Sequence, residues 1–250
     1  MLDQQKPSAQ IGQTKLMALA PVGDSIWLAE GEIVNFYGFP YPTRSVVIRL
    51  QNGDLWIWSP IKLTQDLKDG ISRLGRVAHL ISPNKLHHLY LKEWKAAYPN
   101  AALWGPASTI KKRSDLSFRE ALTDLPPPEW RDEIDQAWFR GSPALDEIVF
   151  FHRLSSTAII ADLSENFDDT FLRAYWTVWK RVIAKIWKIT VGYGYAPLEW
   201  RLSWIHRAPA RQALEKLIGW NPTRVIMAHG AWQRENGRAY VERAFAWLRR

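Results

Sequence analysis

Apolar positions along this chain switch between a period of two and a period near 3.6, and the switches mark its elements. Residues 1–24, with several Gln, Lys and Ser, show no apolar periodicity and predict a flexible N-terminal arm ahead of one domain over 25–250. Residues 25–30 and 32–36 predict two short strands, followed by a turn-rich stretch over 37–43. Apolar runs over 45–50 and 54–58 flank Gln51-Asn-Gly-Asp54, and Asn-Gly between β-rich runs predicts a hairpin.

Beyond that hairpin the two periods alternate. A helix is expected over 64–74, with Thr64 as N-cap and Gly75 just past its end. A buried strand over 77–81, a helix over 85–98 and a strand over 101–104 follow, the last stopped by Gly105-Pro106. Residues 111–128 are charged and punctuated by proline, which predicts loop. A second hairpin pairs 147–151 with 157–161. A long amphipathic helix is expected over 171–189, another over 209–218, a strand over 224–228 and a closing helix over 237–250. Strands paired in hairpins first, then alternating with helices, indicate a layered α/β sandwich rather than a doubly wound parallel sheet.

Composition narrows the chemistry. With 250 residues, 47% apolar and 23% charged, the chain is globular and large enough for a substantial core. No stretch approaches the roughly 20 apolar residues of a membrane span, and residues 1–15 lack the apolar core of a signal peptide. The absence of cysteine removes disulfides, thiolate zinc sites, iron–sulfur clusters and cysteine nucleophiles together. These features lead to the expectation of a soluble cytoplasmic protein. A net charge of +8 points to anionic partners or to a diffuse basic surface. The 15 tryptophans run from Trp27 to Trp247 without clustering, which favours packing over base stacking and argues against a nucleic-acid partner.

Candidate chemistry collects where buried strands end. Ile81 leads into Ser82-Pro-Asn-Lys-Leu-His87-His88, Ile160-Ala161 into Asp162, and Ala228 into His229-Gly230. The carboxyl ends of neighbouring strands converge in α/β sheets, and imidazole with carboxylate is a donor set that suits zinc and similar divalent ions. Each residue alone also has a plain structural reading, Asp162 as a helix cap and each His as a hydrogen-bonded turn residue.

The same segments resemble domain-of-unknown-function family 4336 of the metallo-β-lactamase superfamily. The matching stretches are Ser82-Pro-Asn-Lys-Leu-His-His-Leu-Tyr-Leu-Lys-Glu-Trp94, Tyr98-Pro-Asn-Ala, Trp104-Gly-Pro, Glu147-Ile-Val-Phe-Phe-His152, Ala161-Asp-Leu-Ser-Glu-Asn-Phe167 and Val225-Ile-Met-Ala-His-Gly230. The resemblance implies an α+β fold, a four-layer αββα sandwich. It also implies a correspondence with the superfamily motif His-x-His-x-Asp-His. Pro83 and Lys85 fall on its two leading His positions, so the first metal site is lost. The second site corresponds to His87, His88, Asp162 and His229, which implies one divalent ion, zinc ahead of iron or manganese. His88, which keeps the family's residue type, is the stronger ligand candidate of the adjacent pair. Lys85 would replace the missing ion's charge and hold an anionic small-molecule substrate, beside Asp162 in the catalytic set. The expected activity is a mononuclear metal-dependent hydrolase. The alternative is a scaffold that keeps the fold, lacks catalysis and metal, and binds an anionic partner.

Other groups have simpler readings. Residues 171–188 carry five cations without an acid, which allows peripheral contact with a membrane; the plainer expectation is an outer helix with tryptophans inward and lysines in water. Gly192-Tyr-Gly-Tyr195 reads as a tight turn. His79 and His152 read as packing groups, and His206 as a helix cap or solvated side chain. Ser155, Ser156 and Ser164 lack a nucleophile-elbow context. Asp146 and Glu147 read as surface carboxylates at a strand entry.

Overall fold

The computed structural model describes residues 18–249, so most of the expected arm lies outside the described residues. Strands β1 (Ala20–Gly23), β2 (Ile26–Phe36), β3 (Phe39–Arg49), β4 (Asp54–Trp58), β5 (Arg76–Ile81) and β6 (Ala102–Trp104) form one sheet in that order. Its first four strands pair antiparallel, and β4, β5 and β6 run parallel. Helices α1 (Gln65–Leu74), α2 (Leu91–Ala97) and α3 (Ala107–Lys112) follow β4, β5 and β6 respectively. Strands β7 (Ile134–Phe139), β8 (Glu147–His152), β9 (Thr157–Ile160) and β10 (Arg224–Met227) form the second sheet in the order β10-β9-β8-β7, with β9 and β10 parallel. Between β9 and β10 lie α4 (Asp169–Tyr175), α5 (Val178–Trp187), α6 (Leu198–Ser203) and α7 (Arg207–Gly219). The chain then continues through α8 (Gly237–Ala244) and α9 (Ala246–Arg249).

Side-chain alternation creates the layers. Along β4, Trp56 and Trp58 face the second sheet and pack with Ile148, Phe150, Ile159 and Ile226. Leu55 and Ile57 face the other way, under Leu67 and Ile71 of α1 and Leu91 and Trp94 of α2. On the second sheet, Val149, Phe151, Ile160 and Met227 face outward beneath α7 and α8. Strands covered on both faces read as unbroken apolar runs. The architecture is the expected αββα sandwich. No helix among the described residues is long and apolar enough to cross a membrane.

Several local expectations are corrected. Residues 20–23, placed in the arm, form β1 against β2; this edge strand is exposed or half-buried throughout and so lacks an apolar pattern. The two strands expected over 25–36 are one, β2, with a register shift between Glu30 and Ile33 that breaks the alternation. Only Tyr37 and Gly38 turn the chain before β3, both at positive φ (47° and 85°), a two-residue connection of the type I′ sort. Pro40 and Pro42 sit within β3, where the strand pairs with β2 alone and needs no N–H on its other side. The helix expected from residue 85 starts at Leu91, after a run of turns. The long helix over 171–189 is two helices: Trp176 is extended (φ −110°, ψ 134°), buried, and donates its indole N–H to Pro40 O at 2.8 Å. Strand β7 and helices α3 and α6 answer to no element expected from the sequence, and α3 takes in Lys111 and Lys112 at the start of the expected loop.

His152, at the end of β8, is buried, with Nδ1 2.8 Å from Ser155 Oγ. Burial pushes its pKa down to about 4. The unfolded chain binds a proton that the folded one refuses, so stability is full above about pH 6.5 and falls as pH drops toward 4. From pH 7 to pH 5 this residue alone is expected to cost about 2 kcal/mol. Urea midpoints of the wild type and of His152→Gln at the two pH values check this. An equal drop in both proteins would contradict it.

Candidate metal centre

Four strand ends open on one edge of the sandwich. The end of β4 supplies Ser59, the turns after β5 supply Asn84 and His87, the segment after β9 supplies Asp162, and the segment after β10 supplies His229. Ser59 N–H donates to Ile81 O at 2.9 Å and Ala228 N–H to Ile160 O at 3.1 Å, so the parallel pairs hold these ends level.

His87, Asp162 and His229 place their ligand atoms within 4.8 Å of one another. Asp162 Oδ2 lies 3.2 Å from His87 Nε2 and Oδ1 lies 3.4 Å from His229 Nε2. The outer nitrogens are engaged elsewhere. His87 Nδ1 is 2.7 Å from Ser59 Oγ, and His229 Nδ1 donates to Pro42 O at 2.8 Å. A carbonyl only accepts, so the proton of neutral His229 sits on Nδ1 and Nε2 offers its lone pair. Burial works to lower the pKa of His87, but the charge and hydrogen bond of Asp162 raise it overall. For Asp162 burial works upward, and His87 and His229 hold the carboxyl well below its usual range.

A further layer supports Asp162. Asn84 Nδ2 donates to Asp162 Oδ2 at 2.7 Å and to Glu147 Oε2 at 3.0 Å. Glu147 also accepts from the N–H groups of Ala161 (2.7 Å) and Asp162 (2.8 Å). It is fully buried, not the surface carboxylate expected, and burial with the charge of Asp162 pushes its pKa up to about 8. Gly230, at φ 87°, lets the chain turn directly after His229; a Cβ there would lie 2.3 Å from Asn166 O.

The site lies in a cleft of about 680 Å³. Val34, Phe36 and Tyr41 of the β2–β3 hairpin line it, with Leu86, Leu89 and Trp200. Glu165 and Glu199 line it too. Glu165 is buried and accepts from Tyr41 Oη–H at 3.4 Å; burial and then the charges of Asp162 and Glu199 push its pKa well up.

The structure brings together His87, Asp162 and His229, and leaves His88 and Lys85 outside. The chain turns through 82–90 instead of entering a helix, with Leu86 N–H bonded to Asn84 Oδ1 at 2.8 Å, so the adjacent histidines diverge. His88 is half-buried beside Lys112 and Arg113, and burial with those charges pushes its pKa down to about 4. Of the adjacent pair it is His87, not His88, whose ring faces Asp162. Lys85 does not line the cleft; burial, and then the charge of nearby Lys85, lower the pKa of the Lys112 ammonium. Ser59, Asn84, Glu165 and Tyr41 escaped the sequence reading. Ser59 carries the same signal as Asp162 and His229, a polar residue at the end of an apolar strand.

Two face-to-face sheets with helices outside make a metallo-β-lactamase-type fold, with a His–Asp–His cluster at its strand ends. Solved structures with this fold include DIM-1 metallo-β-lactamase exposed to ceftazidime, with 13% identity, 92% of this chain and 95% of that chain covered, and a TM-score of 0.63. A metallo-β-lactamase from Erythrobacter litoralis, with β-mercaptoethanol in its active site, shares 10% identity over 92% of this chain and 95% of that one, at 0.63. The metal-soaked Flv1 flavodiiron core from Synechocystis shares 12% identity over 92% of this chain and 60% of that one, at 0.63. No curated protein matches the chain in sequence. The model of the domain of unknown function DUF4336 matches residues 23–173, and the chain belongs to that family.

Proposed function

We propose that the protein is a metal-dependent hydrolase with a single divalent ion held by His87, Asp162 and His229. The observation that carries this reading is the engagement of both outer imidazole nitrogens, by Ser59 and by the Pro42 carbonyl, with both inner nitrogens aimed at one carboxylate. Two imidazoles and a carboxylate suit zinc, and also iron or manganese, and three protein donors are the number that catalytic zinc sites use. An ion held there supplies Lewis acidity to a carbonyl or phosphoryl oxygen and to water.

The chain's own groups have separate tasks. Ser59 and Pro42 fix the orientation of the rings, and Asn84 and Glu147 fix the carboxylate. Val34, Phe36 and Trp200 keep water from the reacting group. Burial, and then the charges of Asp162 and Glu199, raise the pKa of Glu165 at the cleft wall. The expected anionic substrate does not suit this lining. Two further carboxylates, Glu165 and Glu199, face the cleft, and no lysine or arginine does among the described lining residues. The substrate class that fits is an apolar molecule, neutral or cationic, with a hydrolysable ester, thioester or lactone.

One observation favours a second reading, a silent scaffold. Asp162 already accepts from Asn84 and lies beside both imidazoles, so the cluster is satisfied within the chain itself. Elemental analysis of untagged protein beside the double variant Asp162→Ala, His229→Ala separates the two. Near-stoichiometric metal lost in the variant, with turnover of an apolar ester or lactone, supports the hydrolase. Absence of metal in both proteins after incubation with zinc, iron or manganese supports the scaffold.

A further inference from the structure

Helix α5 leaves four of its apolar side chains in water. Ala184 is its only fully buried residue. Val178, Val182 and Ile186, four residues apart and hence on one face, are 67%, 49% and 66% exposed, and Trp179 is exposed beside them. Trp176 and Trp187 pack inward as expected, but Trp179 and the valine–isoleucine stripe stay in water beside the lysines. The cost of leaving such a stripe in water is a reason to look for what covers it.

The charges around the stripe share one sign. Arg173, Lys180, Arg181, Lys185 and Lys188 fall in a stretch with no acid between Asp169 and Glu199. Arg173, Arg181 and Lys185 line the same surface groove as Val178 and Val182, with Asp169 the one acid in it. Lys185 also borders exposed Val191 and Tyr193. The tip of the β2–β3 hairpin extends the face, since Lys180 Nζ donates to Gly38 O and lies over the rings of Phe39 and Trp179. Tyr37 at that tip is 89% exposed and sits at φ 47°, a conformation a bulky residue rarely adopts.

We propose that α5 and the Tyr37 hairpin tip seat the protein on an anionic lipid bilayer. Apolar side chains along a short helix, flanked by cations whose stems reach along the surface, with tryptophan and tyrosine at the border, match the interface between headgroups and acyl chains. The helix lies on the surface and does not span it. A second copy of the chain does not suit this face, because a two-fold pairing sets the same cations against each other. Nucleic acid matches the charge but offers the apolar stripe nothing.

Co-sedimentation of the full chain with vesicles tests this. One set is phosphatidylcholine alone, the other phosphatidylcholine with phosphatidylglycerol as about a third of the lipid. Binding is expected to the second set only, and to fall in about 1 M salt, where charges are screened within about 3 Å. Each cation at such a surface contributes about fivefold to partitioning, so Arg173→Glu/Lys185→Glu is expected to lower it by about thirtyfold or more. Val182→Glu/Ile186→Glu is expected to abolish it. All four positions are exposed, and the pairs alter different chemistry, so either folded variant decides the matter. Equal binding to both vesicle sets, binding to neither, or unchanged binding by either folded variant would overturn the proposal. So would a self-association of the wild type, seen by light scattering, that Val182→Glu/Ile186→Glu removes.

Discussion

Zinc added to the metal-free protein is expected to raise its melting temperature by about 5–10 °C, and His87→Ala, Asp162→Ala and His229→Ala are each expected to abolish that rise. A ligand at a hundred times its dissociation constant stabilises the folded state by about 2.7 kcal/mol. For a chain of this size each kcal/mol is worth about 2–4 °C. His88→Ala is the internal control. His88 faces Lys112 and Arg113 and not the cluster, so its variant keeps the full shift. Ser59→Ala tests the layer behind the ligands. It leaves all three donors in place and removes the group that orients His87, which is expected to weaken zinc binding by about 10–100-fold. Calorimetric scans with and without zinc give every comparison as a shift within one variant, so differences in metal-free stability cancel. A shift retained in Asp162→Ala but lost in His88→Ala would relocate the site.

The strand ends were legible in the sequence because burial and polarity change abruptly there. Ile160-Ala161 before Asp162 and Ala228 before His229 announce both residues, and the parallel pairing of β9 with β10 brings them together. The choice between His87 and His88 was not legible. It depends on Asn84, whose side chain accepts from Leu86 N–H and makes a turn where the apolar spacing suggests a helix. Burial of Glu147 was equally hidden, since a carboxylate at the start of a strand looks the same whether it meets water or two backbone N–H groups. The break between α4 and α5 escaped because the helical spacing continues through Trp176. Its cause is long-range: an indole that leaves the helix to bond a carbonyl of β3. The placement of Lys85 away from the cleft lining has a related reason. Alignment with a motif places a residue in the chain but does not say which way its side chain leaves a turn.

The second large effect belongs to Glu147, where stability and the site meet. Glu147→Ala is expected to destabilise the protein by about 3–5 kcal/mol, the range for breaking a buried polar network. The substitution leaves the N–H groups of Ala161 and Asp162 without acceptors in a fully buried place, and each orphan costs about 1–3 kcal/mol. Asn84 keeps its bond to Asp162 but loses the one to Glu147, so the carboxylate's support becomes one-sided. Glu147→Gln is expected to fall between the wild type and the alanine variant. Its single carbonyl oxygen satisfies one backbone N–H, and its amide group meets the other donor head-on. Urea unfolding orders the three proteins, and zinc titration of the same samples reads the site. Because Asp162 N–H is one of the orphaned donors, metal affinity is expected to follow the same order as stability. A destabilised Glu147→Ala that binds zinc as tightly as the wild type would confine Glu147 to the core. An alanine variant with an unchanged midpoint would mean that the two N–H groups find other acceptors, and the buried network would then contribute little to the fold.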